Sequence, residues 1–116
     1  MDIRSLLLVG ALTASLSTSP LAWSGEASGH VESLIVRSSD GLIYVWLNGT
    51  AVSRPACAAS TDYWMIKDEN SETGKKTYAA LLAAQISGRP IRIVGSGTCT
   101  RWSDGEDISY IQLRNT

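Results

Sequence analysis

Apolar and polar positions follow three different rhythms along the chain. Residues 6–12 form a short apolar run behind Arg4 and ahead of a small, polar stretch ending at Pro20. From Val31 the rhythm is that of strands. Val31 to Arg37 and Leu42 to Leu47 are rich in β-branched and aromatic residues, and Ser39-Asp40-Gly41 between them supplies turn chemistry, so the pair predicts a hairpin. Within the second run, Ile43, Val45 and Leu47 fall on one face and Leu42, Tyr44 and Trp46 on the other. If the first set fills the core, the second is an aromatic surface. Asn48-Gly49 is a second turn signal, and "NGT" also matches the glycan-acceptor pattern. Asp62 to Ile66 can supply a third strand, after a loop or short edge segment over Pro55 to Ser60.

The third rhythm is helical. Thr77 to Gly88 is rich in Ala and Leu, with Tyr78, Leu81, Leu82, Gln85 and Ile86 recurring at helical spacing. Ser71 or Thr73 can cap its start, while Gly88 and then Pro90 stop it. Lys67 to Lys76 reads as an exposed connection. Pro90 to Gly95 alternates, with Ile91 and Ile93 opposing Arg92 and Val94, and Asp107 to Leu113 is a fifth strand. In that strand Ile108, Tyr110 and Gln112 oppose Ser109, Ile111 and Leu113. The predicted class is therefore mainly β with one helix, in the order β-β-β-α-β-β. That order fits a five-stranded OB-fold-like barrel; an open α+β sheet with one packed helix uses the same elements.

The first apolar run changes what counts as the working domain. A basic residue, a short apolar stretch and then small residues make the layout of a secretory signal peptide. The run is too short to span a bilayer, which needs about 20 apolar residues. Residues 1–22 are thus expected to be removed, with a cut after Ser24 as the alternative. Residues 23–116 then form a single small domain, exported to the periplasm or secreted. Without Arg4 and Asp2 it carries nine basic and ten acidic residues. Such a balance argues against nucleic-acid binding, which needs clustered cations, and no apolar segment remains for membrane insertion. A core this small benefits from a covalent brace in an oxidising compartment. Cys57 and Cys99 are the only cysteines. Their pairing closes a loop of about 40 residues, worth about 4 kcal/mol by chain entropy. Two free thiols or an intermolecular bridge are the alternatives.

No catalytic set stands out, and neither an enzyme nor a cofactor is expected. His30 is the sole histidine, and no nucleophile elbow accompanies it. A zinc site from His30, Cys57 and Cys99 lacks the spacing such sites use. Asp104, Glu106 and Asp107 in "SDGED" could hold a weak calcium ion, but an exposed turn is the simpler reading. The four Trp and four Tyr, with no Phe, are more informative. Rings with a polar handle suit sugar faces and protein interfaces as well as cores. Trp64 and Tyr78 are assigned to the core, and Tyr44 and Trp46 to an interface. Tyr63, Arg101, Trp102 and Asp104 form a candidate polar-aromatic ligand edge.

"AWSG" at Ala22, "LIYVWLNG" at Leu42, "ACAAS" at Ala56 with Trp64 beyond it, and "YAALLAAQISGRPIRI" at Tyr78 resemble the B subunits of subtilase-type and pertussis-like bacterial toxins. The resemblance implies a secreted OB-fold protein that assembles into a homo-oligomer, a pentamer in that family, and binds sialylated glycans. It adds Ser33, the nearest match to the serine those subunits use for sugar contact. Two departures stand out. Trp46 occupies the place of the cysteine that pairs in that family, which leaves Cys99 as the mate of Cys57. The chain also stops soon after its last strand. A protein-interaction module of unknown partner that shares only the fold is the alternative function.

Overall fold

The computed structural model describes Gly10 and residues 23–115. The leader assigned to residues 1–22, Gly10 apart, lies outside the described residues. Six strands and one helix follow in chain order: β1 (Glu26–Gly29), β2 (Val31–Val36), β3 (Ile43–Leu47), β4 (Tyr63–Met65), α1 (Glu72–Ser87), β5 (Ile91–Gly95) and β6 (Glu106–Leu113). A short 3-10 turn, Ala56–Ala58, lies ahead of β4. The predicted class holds: the described residues are mainly β with one helix.

The strands form a single mixed sheet in the order β1-β5-β6-β4-β3-β2. All neighbours are antiparallel except β4 and β6, which run parallel through Trp64↔Glu106 and Met65↔Asp107. Two features depart from the five-stranded barrel. The ladder does not close, and the polar lead-in before Val31 supplies an extra strand, β1. That segment is ordered because Ala27 alternates into the core and Glu26 to Gly29 pair with Val94 to Ile91. The two ends of the sheet, β1 and β2, are separated in the chain by His30 alone.

Alternation decides which side chains fill the interior. Ile43, Val45 and Leu47 are buried and pack with Trp64, Leu81, Ile91 and Ile93. Trp64 is wholly buried, and truncating a side chain of that size would cost about 3–5 kcal/mol. Arg92 and Val94 stay half-buried on the opposite face of β5. In β6 the expected alternation fails. A register shift opposite Val94 and Gly95 lets both Ile108 and Ile111 pack against the core. A bulge of this kind turns the side chains that follow it.

The helix begins at Glu72, one turn before the Ala-rich stretch, so Lys67 to Lys76 is only partly a connection. Ser71 is the N-cap and accepts a hydrogen bond from Gly74 N, while Gly88 closes the helix in the left-handed conformation. The earlier start selects a different buried stripe. Leu81 and Ala84 pack into the core and Gly74 is buried against Asp68, whereas Gln85 is exposed and Ile86 is 78 % exposed. Gln85 and Ile86 are therefore not part of the docking face.

Candidate functional site

Residues directly opposite one another in a ladder share a face. Ser33 pairs with Trp46 and Ile35 with Tyr44; Tyr44 then pairs with Met65 and Trp46 with Tyr63. Since Val45 points inward, this set lies on the opposite face of the sheet, where Met65 is covered and wholly buried while the others are half-buried. Tyr44, Trp46 and Tyr63 meet as a triad, with ring centroids 5.0, 5.8 and 5.4 Å apart and planes inclined by 60–65°. Edge-to-face packing of this kind holds rings in fixed orientations. All three remain half-buried. A sheet face thus presents a preformed aromatic surface to solvent, as the alternation implied for Tyr44 and Trp46, whereas Leu42, assigned to the same face, is buried.

Two clefts flank the triad. One, of about 240 Å³, is lined by Arg37, Leu42, Tyr44, Tyr63, Met65 and Trp102. The Arg37 guanidinium lies 4.7 Å from the Trp102 ring centroid, a cation–π contact. The other, of about 380 Å³, lies beside Trp46 and includes Glu32, Asn48, Thr50 and Asp62. The first cleft has an arginine in its wall; the second has two carboxylates and an amide.

The loop between β5 and β6 carries Trp102 to the first cleft, and Asp107 fixes that loop. Its wholly buried carboxylate accepts hydrogen bonds from Thr98 Oγ1 at 2.9 Å, Thr100 N at 3.0 Å, Thr100 Oγ1 at 2.6 Å and Arg101 N at 3.3 Å. Burial pushes this carboxyl upward, but the bonds from Thr100, Thr98 and Arg101 outweigh it and hold its pKa below the ordinary value. Farther along the loop, Asp104 accepts a hydrogen bond from the Tyr63 hydroxyl. Burial, with that bond second, raises the Tyr63 pKa to about 12. Gly105 packs against Met65 and Tyr63, because a Cβ there would meet Met65 Cγ at 2.5 Å and Tyr63 Cε2 at 2.8 Å.

An ion network ties the loop to the hairpin and to the approach to α1. Arg101 donates to both oxygens of Glu69, at 3.0 and 2.9 Å, and to the Asp40 carbonyl at 3.2 Å. Asp40 in turn accepts two hydrogen bonds from Arg37, at 3.0 and 2.6 Å. The Arg37 bonds hold the Asp40 carboxyl well below the usual carboxylate range, and Arg101 lowers that of Glu69. Arg101 is therefore engaged as a clamp.

The candidate residues consequently separate. Tyr44, Tyr63 and Trp102 line the first cleft, with Asp104 bonded to Tyr63, while Trp46 shares the aromatic face and lines the second cleft. Ser33 lies on the same face opposite Trp46 but outside the cleft that holds Tyr63 and Trp102. Cys57 and Cys99 form the internal disulfide, which links the turn ahead of β4 to the Trp102 loop. No group of three or more His, Cys, Asp or Glu side chains placed to hold a metal ion occurs among the described residues.

"SDGED" is not simply an exposed turn. Glu106 and Asp107 are both wholly buried. As successive strand residues they point to opposite faces, so the three acids do not converge on one ion. Glu106 accepts hydrogen bonds from Gly25 N at 2.9 Å and Gly97 N at 3.0 Å, and its other oxygen lies 3.6 Å from Arg54 Nε. Arg54 sits 4.4 Å from the Trp64 ring centroid, and its burial lowers its pKa against the attraction of Glu106. Arg37, Arg54 and the inward role of Glu106 were missed from the sequence. Only the i,i+3 spacing of Arg37 and Asp40 offered a local signal.

No protein-family model, curated protein or solved structure matches the chain. Among the described residues no helix is long and apolar enough to cross a membrane.

Proposed function

We propose that the protein is an exported, non-enzymatic carbohydrate-binding module that uses the outer face of β2, β3 and β4. The observation that carries this reading is the Tyr44–Trp46–Tyr63 triad, held rigid and half-exposed between two clefts. A sugar ring has an apolar face and an equatorial belt of hydroxyls. It needs a flat aromatic platform with polar side chains at its rim. Trp46 supplies the platform, while Glu32, Asp62 and the Asn48 amide group supply the rim. Two carboxylates beside Trp46 disfavour an anionic sugar there, so the expected ligand is neutral and rich in hydroxyls. Ser33, opposite Trp46, adds a further hydroxyl, and Arg101 and Asp104 position the loop that carries Trp102.

The contiguity of β1 and β2 supports reading them as one bent strand that serves both ends of the ladder. That is the arrangement of a five-stranded OB-like barrel, which agrees with the toxin B-subunit resemblance. Self-association of such modules would raise avidity for a multivalent glycan surface. The test is a glycan array probed with the protein and with Trp46→Ala. Neutral-glycan binding lost in the variant supports the reading. Equal binding by both proteins, or binding by neither, contradicts it.

A further inference from the structure

Strand β6 has an unused edge. Its partner β4 reaches only Glu106 and Asp107, whereas β6 runs on to Leu113. Arg114 N donates to Pro90 O at 3.1 Å, which fixes the phase of the ladder with β5. Antiparallel hydrogen-bonded pairs alternate, so Gln112 and Tyr110 direct their backbone groups to β5 while Ile111 and Leu113 direct theirs away. The space beside that edge is a groove walled on its other side by α1. A cavity of about 290 Å³ lies between Thr73, Lys76, Thr77 and Ala80 of the helix and Ser109 to Ile111 of the strand. It adjoins a second cavity, of about 330 Å³, that shares Thr73, Thr77 and Ser109.

From this edge and groove we infer a second binding site, distinct from the aromatic face, that takes an extended peptide segment of another protein by strand addition to β6. Outward-facing backbone N–H and C=O groups on a strand are satisfied by an extended backbone. Thr73, Lys76, Thr77 and Ala80 of α1 line the groove across from that edge. Side chains of the peptide that face α1 meet Ala80 and the hydroxyls of Thr73 and Thr77, so small or β-branched residues fit there. Lys76 is exposed at the groove wall and makes no ion pair among the described residues, which favours an acidic residue at the corresponding end of the peptide. At about 3.4 Å per residue, the stretch from Ser109 to Leu113 accommodates five or six peptide residues.

The probe is an acetylated synthetic heptapeptide of alternating valine and threonine ending in two glutamates, added to the full protein with its disulfide intact. Amide exchange by NMR should show Ile111 and Leu113 exchanging fast in the free protein and becoming protected on titration. N-methylating two alternate peptide amides that face β6 should weaken binding at least tenfold, and Ala80→Trp, which fills the groove, should do the same. Resonances of Trp46 should stay unmoved, so failure here is separable from failure of the carbohydrate reading. Three results would overturn the inference: slow exchange of both amides in the free protein, binding indifferent to N-methylation, or protection that rises with protein concentration alone.

Discussion

Asp107 is the side chain on which the placement of Trp102 most depends, and its removal has a calculable outcome. Alanine at this position would leave two backbone donors, Thr100 N and Arg101 N, without the acceptor they now use. Each orphaned donor costs at least about 1 kcal/mol, and hydrogen bonds to a charged group contribute about 1.5–3 kcal/mol apiece without adding fully. Asp107→Ala should therefore destabilise the protein by about 3 kcal/mol. Asp107→Asn is the sharper probe because it keeps the volume. Oδ2 accepts from Thr98 and Thr100, and the asparagine oxygen can replace it there. The amide nitrogen then faces Arg101 N, donor against donor, at a cost of about 1–2 kcal/mol. The folded-state pKa is depressed, so the stabilisation by the carboxylate is complete above the unfolded value near 4 and disappears as pH falls through the lower folded value. Urea unfolding of wild type and Asp107→Asn across pH 7 to 2.5 measures this. The gap between the two proteins should be full at neutral pH and narrow below about pH 4, with the Trp102 indole resonance displaced in the variant. Equal stability at pH 7, or a gap that is constant down to pH 2.5, would refute the assignment.

Other consequences are independent of that carboxylate. Replacing both Cys57 and Cys99 by serine should cost up to about 4 kcal/mol, and native protein should show no alkylatable thiol by mass spectrometry. Gly95→Ala would put a Cβ 1.9 Å from Glu106 Oε2 and 2.8 Å from Trp64 Cζ3. Both neighbours are wholly buried and cannot retreat, so thermal melts should show a loss of about 3 kcal/mol or more. Gly105→Ala, whose Cβ would lie 2.5 Å from the wholly buried Met65 and 2.8 Å from the Tyr63 ring, should be destabilising as well. Intact-mass measurement of exported material should show a chain without residues 1–22; an uncut cytoplasmic chain would contradict the leader assignment.

Local signals carried much of this picture. Alternation in "LIYVWL" identified both the inward set Ile43, Val45 and Leu47 and the aromatic surface of Tyr44 and Trp46, because a two-residue period needs no knowledge of distant chain. Gly88 and Pro90 marked the helix end for a similar reason. The helix start was obscured by polar residues and by Gly74, an unfavourable helix residue. Gly74 is required there because a Cβ would lie 1.9 Å from the Asp68 carbonyl oxygen. Acidic residues are rarely fully buried, so Glu106 and Asp107 read as an exposed turn. Their acceptance into the interior depends on Gly25, 81 positions from Glu106, and on a loop that folds back onto Asp107. The stacking of Arg37 on Trp102 and the parallel pairing of β4 with β6 are likewise long-range events with no local pattern.

The central claim concerns the aromatic face, and indole resonances report on it directly. Titration of the protein with neutral oligosaccharides taken from positive array spots, followed by two-dimensional NMR, should shift the Trp46 indole and the Tyr44 and Tyr63 rings in a saturable way. The buried Trp64 indole should remain still. Saturable sugar binding that leaves Trp46 unshifted, or no saturable shift with any neutral oligosaccharide, would contradict carbohydrate recognition at this face.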